Sequence, residues 1–304
     1  MAADKPLPVL VEQVTQDFRS GFWQKKTRVL DRVSFEIPSQ SVFGFLGANG
    51  AGKTTLIQLM VGLRRPTSGR VRISGFEAVK REAKVQIGYL PERPYFYEHL
   101  TGRRFLEFYG KLSGLEGSRL RKRIDEALAE VGMGAARDRE LGKYSKGMLQ
   151  RIGIAQAILH EPALLILDEP MSGLDPVGRK EIRELIVALA KEGRTIFFSS
   201  HVISDVEAIC DRVALLQKGK LLGAGRLDDL LKVDSDDVEV VVAGLDKKQL
   251  KASGAGRLEV IPEGHRFRIE GGGDLNSALN AVIRARGRII SVQPVRKSLE
   301  ELFE

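Results

Sequence analysis

The sequence predicts an α/β domain built on a mostly parallel sheet and followed by a small α+β domain. Three observations lead there. A short strand-like run, Val42 to Leu46, ends in a Gly-rich loop, and a helical stretch, Thr55 to Leu63, follows it and is closed by Arg64-Arg65-Pro66. Later, two continuous apolar runs, Leu164 to Leu167 and Thr195 to Ser199, flank another helix. Strand, helix, strand in this order implies parallel pairing, with the strands covered on both faces. After Gly225 the texture changes to short alternating strands.

The helix between the two apolar runs has a marked start and stop. Asp175 caps it, Pro176 suits its first position and Gly193 ends it, while Ile182, Leu185, Ile186 and Leu189 recur at helical spacing. The stretch 91–143 reads as two amphipathic helices with no strand between them. Thr101 caps the first, which carries Phe105, Tyr109 and Leu112, and Leu120, Ile124, Leu128 and Val131 line the second. This is a helical insertion in the sheet domain. Beyond it, strands are expected at Val238 to Val242, Leu258 to Ile261, Phe267 to Ile269 and Arg288 to Val292, with helices over Leu275 to Ala285 and Ser298 to Phe303. The domains run 1–225 and 237–304, joined by a linker at 226–236.

A chain of 304 residues holds a large domain plus a small one at ~100 to 200 residues each. Its charged fraction of 29% beside 43% hydrophobic residues excludes a disordered chain. No apolar run approaches the ~18 to 20 residues of a membrane helix, and the first residues lack a signal-peptide layout. The single cysteine, Cys210, excludes an internal disulfide and a Cys-cluster metal site, so a reducing, cytoplasmic location is expected. The net charge of +8 suits phosphates, nucleic acid or an anionic membrane equally and decides nothing.

Chemistry enters at Gly47-Ala48-Asn49-Gly50-Ala51-Gly52-Lys53-Thr54, a complete G-x-x-x-x-G-K-[ST] phosphate loop placed after a strand and before a helix. Its glycines let successive N–H groups converge on phosphate oxygens, aided by the positive end of the helix. Lys53 meets the β- and γ-phosphates, Thr54 offers a hydroxyl to Mg²⁺ and Thr55 can bond a phosphate oxygen. Asp168 and Glu169 close the apolar strand at the sheet edge where ligands bind in α/β folds. Asp168 is placed to hold Mg²⁺ through water, and Glu169 to polarise the water that attacks the γ-phosphate. His201 leaves the next strand at the same edge and can orient that water.

These residues, with Tyr144-Ser145-Lys146-Gly147-Met148-Leu149-Gln150-Arg151 before the Asp-Glu strand and Ser172-Gly173-Leu174-Asp175-Pro176 after it, resemble the ATP-binding subunit of ABC transporters over residues 8 to 225. The resemblance implies a P-loop NTPase fold of ABC type with an antiparallel β part, and the cofactors ATP and Mg²⁺. It also implies a head-to-tail dimer in which each ATP lies between one chain's phosphate loop and the signature, Ser145 and Gly147, of the second ATPase subunit. A helix capped by Ser145 presents free N–H groups to such an anion. The signature departs from the family's Leu-Ser-Gly-Gly-Gln at Tyr144, Lys146 and Met148. In Tyr89-Leu90-Pro91-Glu92 a carboxylate replaces the family's glutamine, which makes Glu92 a further metal candidate and marks the chain as similar to bacterial exporter subunits. By the same resemblance Phe18 stacks on the adenine, with Phe22 and Trp23 as rivals.

The function implied is an ATPase that powers transport, with a lean to export, through a separate multi-span membrane protein, the subunit lying peripherally on the inner face of the membrane. Ribosome-bound members carry two ATPase domains and DNA-repair members a long coiled coil. This chain shows neither, so no nucleic-acid partner is expected. Retention of Lys53, Thr54, Asp168, Glu169 and His201 argues against a binding module without catalysis.

Overall fold

A computed structural model describes residues 8–20, 25–231, 238–245, 258–269 and 274–294, together with Leu299. Contacts divide the chain into two compact units, Met1–Leu227 and Asp228–Glu304.

The first unit is built on two sheets. Strands β1 (Val9–Ser20), β2 (Lys25–Ile37), β4 (Ser68–Ile73) and β5 (Phe76–Glu77) form an antiparallel sheet in the order β2-β1-β4-β5. Strands β3 (Val42–Leu46), β6 (Ile87–Leu90), β7 (Leu164–Leu167), β8 (Thr195–Ser200), β9 (Arg212–Gln217) and β10 (Lys220–Arg226) form the second, in the order β10-β9-β3-β8-β7-β6. All its pairings are parallel except that of β9 with β10. The β3, β7 and β8 strands are buried at every position, which is why their sequences are apolar runs without alternation. One hydrophobic core joins the two sheets. Phe35 of the antiparallel sheet stacks on Phe43, Phe45 and Phe197 of the parallel one, with ring centroids 5.4, 5.8 and 6.4 Å apart.

The helices are α1 (Lys53–Met60), α2 (Arg81–Lys84), α3 (Gly102–Leu112), α4 (Gly117–Glu130), α5 (Lys146–Ile158), α6 (Pro176–Lys191) and α7 (Ile203–Ile209). The first differs from the expected Thr55 to Leu63. It begins at Lys53 because Gly52, at φ 111°, caps it, and it ends at Met60 because Gly62, at φ 68°, turns the chain before the Arg64-Arg65-Pro66 stop is reached. In α3 the Thr101 hydroxyl accepts from the Arg104 N–H as expected, but Leu112 is 69% exposed. Leu106, beside Phe105 and nearly two turns earlier, takes the buried place. Asp175 caps α6 through the Gly178 N–H at 3.0 Å, and Gly193, at φ 93°, follows the helix.

A short helix, Leu227–Leu230, stands in the expected linker. The second unit is an antiparallel sheet of β11 (Val238–Ala243), β12 (Leu258–Ile261), β13 (Gly264–Ile269) and β14 (Arg288–Pro294), ordered β12-β13-β11-β14. Val240, Val242, Phe267 and Ile269 pack with Ala278 and Val282 of the helix Leu275–Arg284. Strand β13 starts three residues before the expected Phe267, because Ile261 pairs with Gly264 across a tight turn. The expected last helix, Ser298 to Phe303, lies outside the described residues apart from Leu299, which is buried.

Candidate active site

The phosphate loop leaves the C-terminal end of β3 and enters α1. A side chain at Gly52 would press on Leu30 Cδ2 at 2.9 Å and the Val29 carbonyl at 3.0 Å, and its φ of 111° already requires glycine. The loop therefore closes tightly enough to turn Lys53 inward. Lys53 Nζ donates to the Gly47 carbonyl at 2.6 Å and the Ala48 carbonyl at 3.4 Å, and lies 3.1 Å from Glu169 Oε1. Only 6% of its side chain is exposed, so its charge acts where water screens it poorly.

The two carboxylates at the end of β7 have different surroundings. Asp168 is buried, and its Oδ1 accepts from Ser199 Oγ at 2.6 Å. Burial holds its pKa above the ordinary carboxylate value, and the nearby Glu169 and Glu92 charges add to the rise against the lowering hydrogen bonds from Ser199 and Thr54. Tyr89, half-buried beside it, is pushed up to about 12 by burial and then by the Asp168 charge. Glu169 adopts φ 49°, a left-handed conformation rare for a residue with a side chain. Its N–H donates to the same Ser199 Oγ at 2.9 Å. The turn places Oε1 against Lys53 and Oε2 against His201, whose Nδ1 lies 2.8 Å away. A carboxylate between a lysine and an imidazole is thus held at the sheet edge, above the phosphate loop.

A cavity of about 460 Å³ opens over this cluster. Of the sequence's candidates, Asn49, Gly50, Gly52, Lys53, Thr54, Thr55, Glu92, Glu169 and His201 line it, joined by Val29 and Ser172. Gly47 and Ala51 act from behind, Gly47 through its carbonyl on Lys53 and Ala51 as a buried loop residue whose N–H donates to Ala48. Asp168 stands behind Thr54, outside the lining. Phe18 is also outside it: half-buried in β1, its ring carries the Arg64 guanidinium at 5.1 Å. Its rivals Phe22 and Trp23 lie outside the described residues. Ser145 and Gly147 do not reach the cavity. Ser145 caps α5 by accepting from the Met148 N–H at 3.3 Å, and the space beside Gly147 is open.

Sequence reasoning missed Ser199, whose hydroxyl bridges the two acids. Its signal was there: two serines close an otherwise apolar strand, and the pairing of Leu167 with Phe198 sets Ser199 beside Asp168.

A model of the ABC transporter family matches residues 30–172. An uncharacterised ABC transporter ATP-binding protein of Synechocystis sp. is 39% identical over 313 aligned residues, which cover 100% of this chain and 87% of that protein. The chain belongs to the ABC transporter family. This ABC subunit is also 44% identical to the bacitracin transport ATP-binding protein of Bacillus licheniformis, over 72% of this chain and 71% of that one. A solved structure described as the ATP-binding subunit of an ABC transporter matches with a TM-score of 0.63 at 30% identity, over 73% of this chain and 91% of that one. The family match spans the phosphate loop, the signature and the acid pair. The ABC subunit is therefore an ATP-binding ATPase. Subunits of this family dimerise and pair with membrane permeases, and no described helix of this one is long and apolar enough to cross a membrane itself.

Proposed function

We propose that this subunit hydrolyses ATP at a site completed by a second copy of itself, and that the closure and reopening of the pair drive export through a separate multi-span membrane protein. The observation that carries the reading is the convergence of Lys53, Glu169 and His201 at the mouth of the phosphate loop. In this reading Lys53 and the loop N–H groups of Asn49, Gly50, Gly52, Thr54 and Thr55 hold the phosphates, while Gly47 and Ala51, whose N–H groups bond the Ser200 and Ala48 carbonyls, shape the loop from behind. Glu169 is the base for the attacking water, because its turned backbone already aims it into the cavity. His201 Nδ1 donates to Glu169, which leaves Nε2 to orient a phosphate oxygen or the water. Phe18 is the residue we assign to the adenine, sharing its ring with Arg64.

Thr54, Asp168 and Glu92 supply the hard oxygen donors for a magnesium ion. Among the described residues no group of three His, Cys, Asp or Glu side chains forms a cage. That partial set fits magnesium, which completes its shell with phosphate oxygens and water and, when bound, neutralises charge on the phosphates. Asp168, behind Thr54, acts on it through water or through the threonine hydroxyl.

The second copy supplies Ser145 and Gly147, which no phosphate held in the same chain's cavity meets. Export rests on the Tyr89-Leu90-Pro91-Glu92 form and on the relative that serves bacitracin transport. The subunit then sits peripherally on the inner face of the membrane. In Glu169→Gln the shape of the site survives while the base and its charge are lost, so ATP binding is expected to persist, turnover to fall by about 10²-fold or more, and a closed dimer to accumulate in ATP. Steady-state hydrolysis and sedimentation in ATP measure this. A variant hydrolysing at the parent's rate would reject Glu169 as the base.

A further inference from the structure

Lys146 is one of the three signature departures, and its surroundings give it a task within its own chain. It is the first residue of α5, next to the Ser145 cap, and it is exposed. Among the described residues its ammonium has no hydrogen bond or ion pair. It rests instead over Gly173, in the loop between β7 and α6. A Cβ built on Gly173 would overlap Lys146 Nζ and lie 3.3 Å from Cε. Gly173 also holds φ 65°, so glycine is needed there for its backbone as well as for the notch that the lysine fills.

That loop is short and tied at both ends. Ser172 N–H donates to the Glu169 carbonyl at 3.0 Å, and Ser172 lines the cavity. At the other end Asp175 caps α6 through Gly178. A second tie joins the same helices further along, where Arg151 of α5 donates to Glu181 of α6 at 3.0 Å. The Lys146 side chain therefore reaches from the start of α5 to Gly173, and Gly173 is one residue from the backbone bond that spans the turn of Glu169.

We infer that Lys146 is a positioning residue: packed into the Gly173 notch, it links the signature turn to the Glu169 turn of the same chain, so that engagement of the signature by a second copy is felt at this chain's own catalytic carboxylate. This rests on the composite site proposed above. It makes Lys146 a coupling element between the two sites of a dimer, through packing in a notch rather than through charge, since the contacting surface is a glycine backbone. Positive cooperativity in hydrolysis is the consequence.

The test uses the full chain. Lys146→Ala empties the notch, and Lys146→Met refills it with an uncharged side chain of similar length. Lys146→Ala is expected to lower kcat about fivefold with KM unchanged, and to bring the Hill coefficient for ATP from about 2 toward 1, while Lys146→Met restores both. A merely structural lysine would leave the Hill coefficient alone. Parental kcat and Hill coefficient in Lys146→Ala would overturn the inference, and so would a Lys146→Met that fails alongside Lys146→Ala, because charge would then be the working property. Sedimentation separates this from the underlying reading. If Glu169→Gln alone forms no dimer in ATP, the composite site fails; if it dimerises and Lys146→Ala stays cooperative, only the coupling fails.

Discussion

Asp168 and Glu169 are neighbours in sequence yet lie in different environments. Asp168 is buried under Thr54 and Ser199, and its raised pKa means that the folded chain holds its proton more tightly than the unfolded chain does. Stability from this group therefore falls as pH rises from the ordinary value of 3.8 through the raised folded value, and the cost is fully present above it. Asp168→Asn removes the charge and keeps an acceptor for Ser199. It is expected to raise the Tm above the parent's near neutral pH, with the gain shrinking as the pH falls through the raised folded value toward 3.8. Thermal melts at the two ends of that range check it, and an equal difference at both would contradict the burial argument. Glu92 invites a second measurement at this scale, since it is 44% exposed at the cavity rim. If it helps to hold magnesium, Glu92→Gln shifts the Mg²⁺ concentration needed for half-maximal hydrolysis upward, as a full anionic ligand is lost from a hard cation. If it serves coupling alone, the isolated subunit titrates as before and loses stimulation by its membrane partner. Residues of this kind were legible because their chemistry is carried by type and spacing. Ser199 was not, because its role depends on which strand lies beside β7, and Phe18 was legible only as a position, with nothing in the sequence to reveal that Arg64 covers its ring.

Local rules served well wherever an element is decided by its own cap. Thr101, Ser145 and Asp175 each accept from the backbone N–H three residues on, as their places before apolar periodicities imply. They failed where tertiary contacts choose among equivalent signals. The stop of α1 was read at a proline although Gly62 ends it first, and Leu112 fits the helical spacing of α3 but lies on its solvent side. In the proposed dimer the start of α5 is the element that meets the second copy. Ser145→Arg removes the cap that Met148 uses and adds bulk and charge at the place where a second copy's phosphate is to arrive. ATP-driven dimerisation is then expected to be lost while the affinity of a single chain for nucleotide changes little, because Ser145 lies outside the cavity of its own chain. Sedimentation of the variant with and without ATP decides it, and dimers at the parental ATP concentration would count against a role for the signature.

At the scale of the whole molecule, the units Met1–Leu227 and Asp228–Glu304 each close a core of their own. In the first, Phe35 joins the antiparallel sheet to Phe43, Phe45 and Phe197 of the parallel one, and β3, β7 and β8 run through the same core to the cavity. In the second, four short strands and one helix bury Val240, Val242, Phe267 and Val282. A domain with its own core can fold without its neighbour. Every described residue that lines the cavity belongs to the first unit. A chain ending at Leu227 is therefore expected to unfold in one cooperative transition, to bind ATP with the affinity of the full chain, and to hydrolyse it at a comparable rate without the membrane partner. Calorimetry and nucleotide titration of the two forms make the comparison. A shortened chain that folds but no longer binds ATP would show that the second unit supports the site, and the assignment of nucleotide binding to the first unit alone would have to be abandoned.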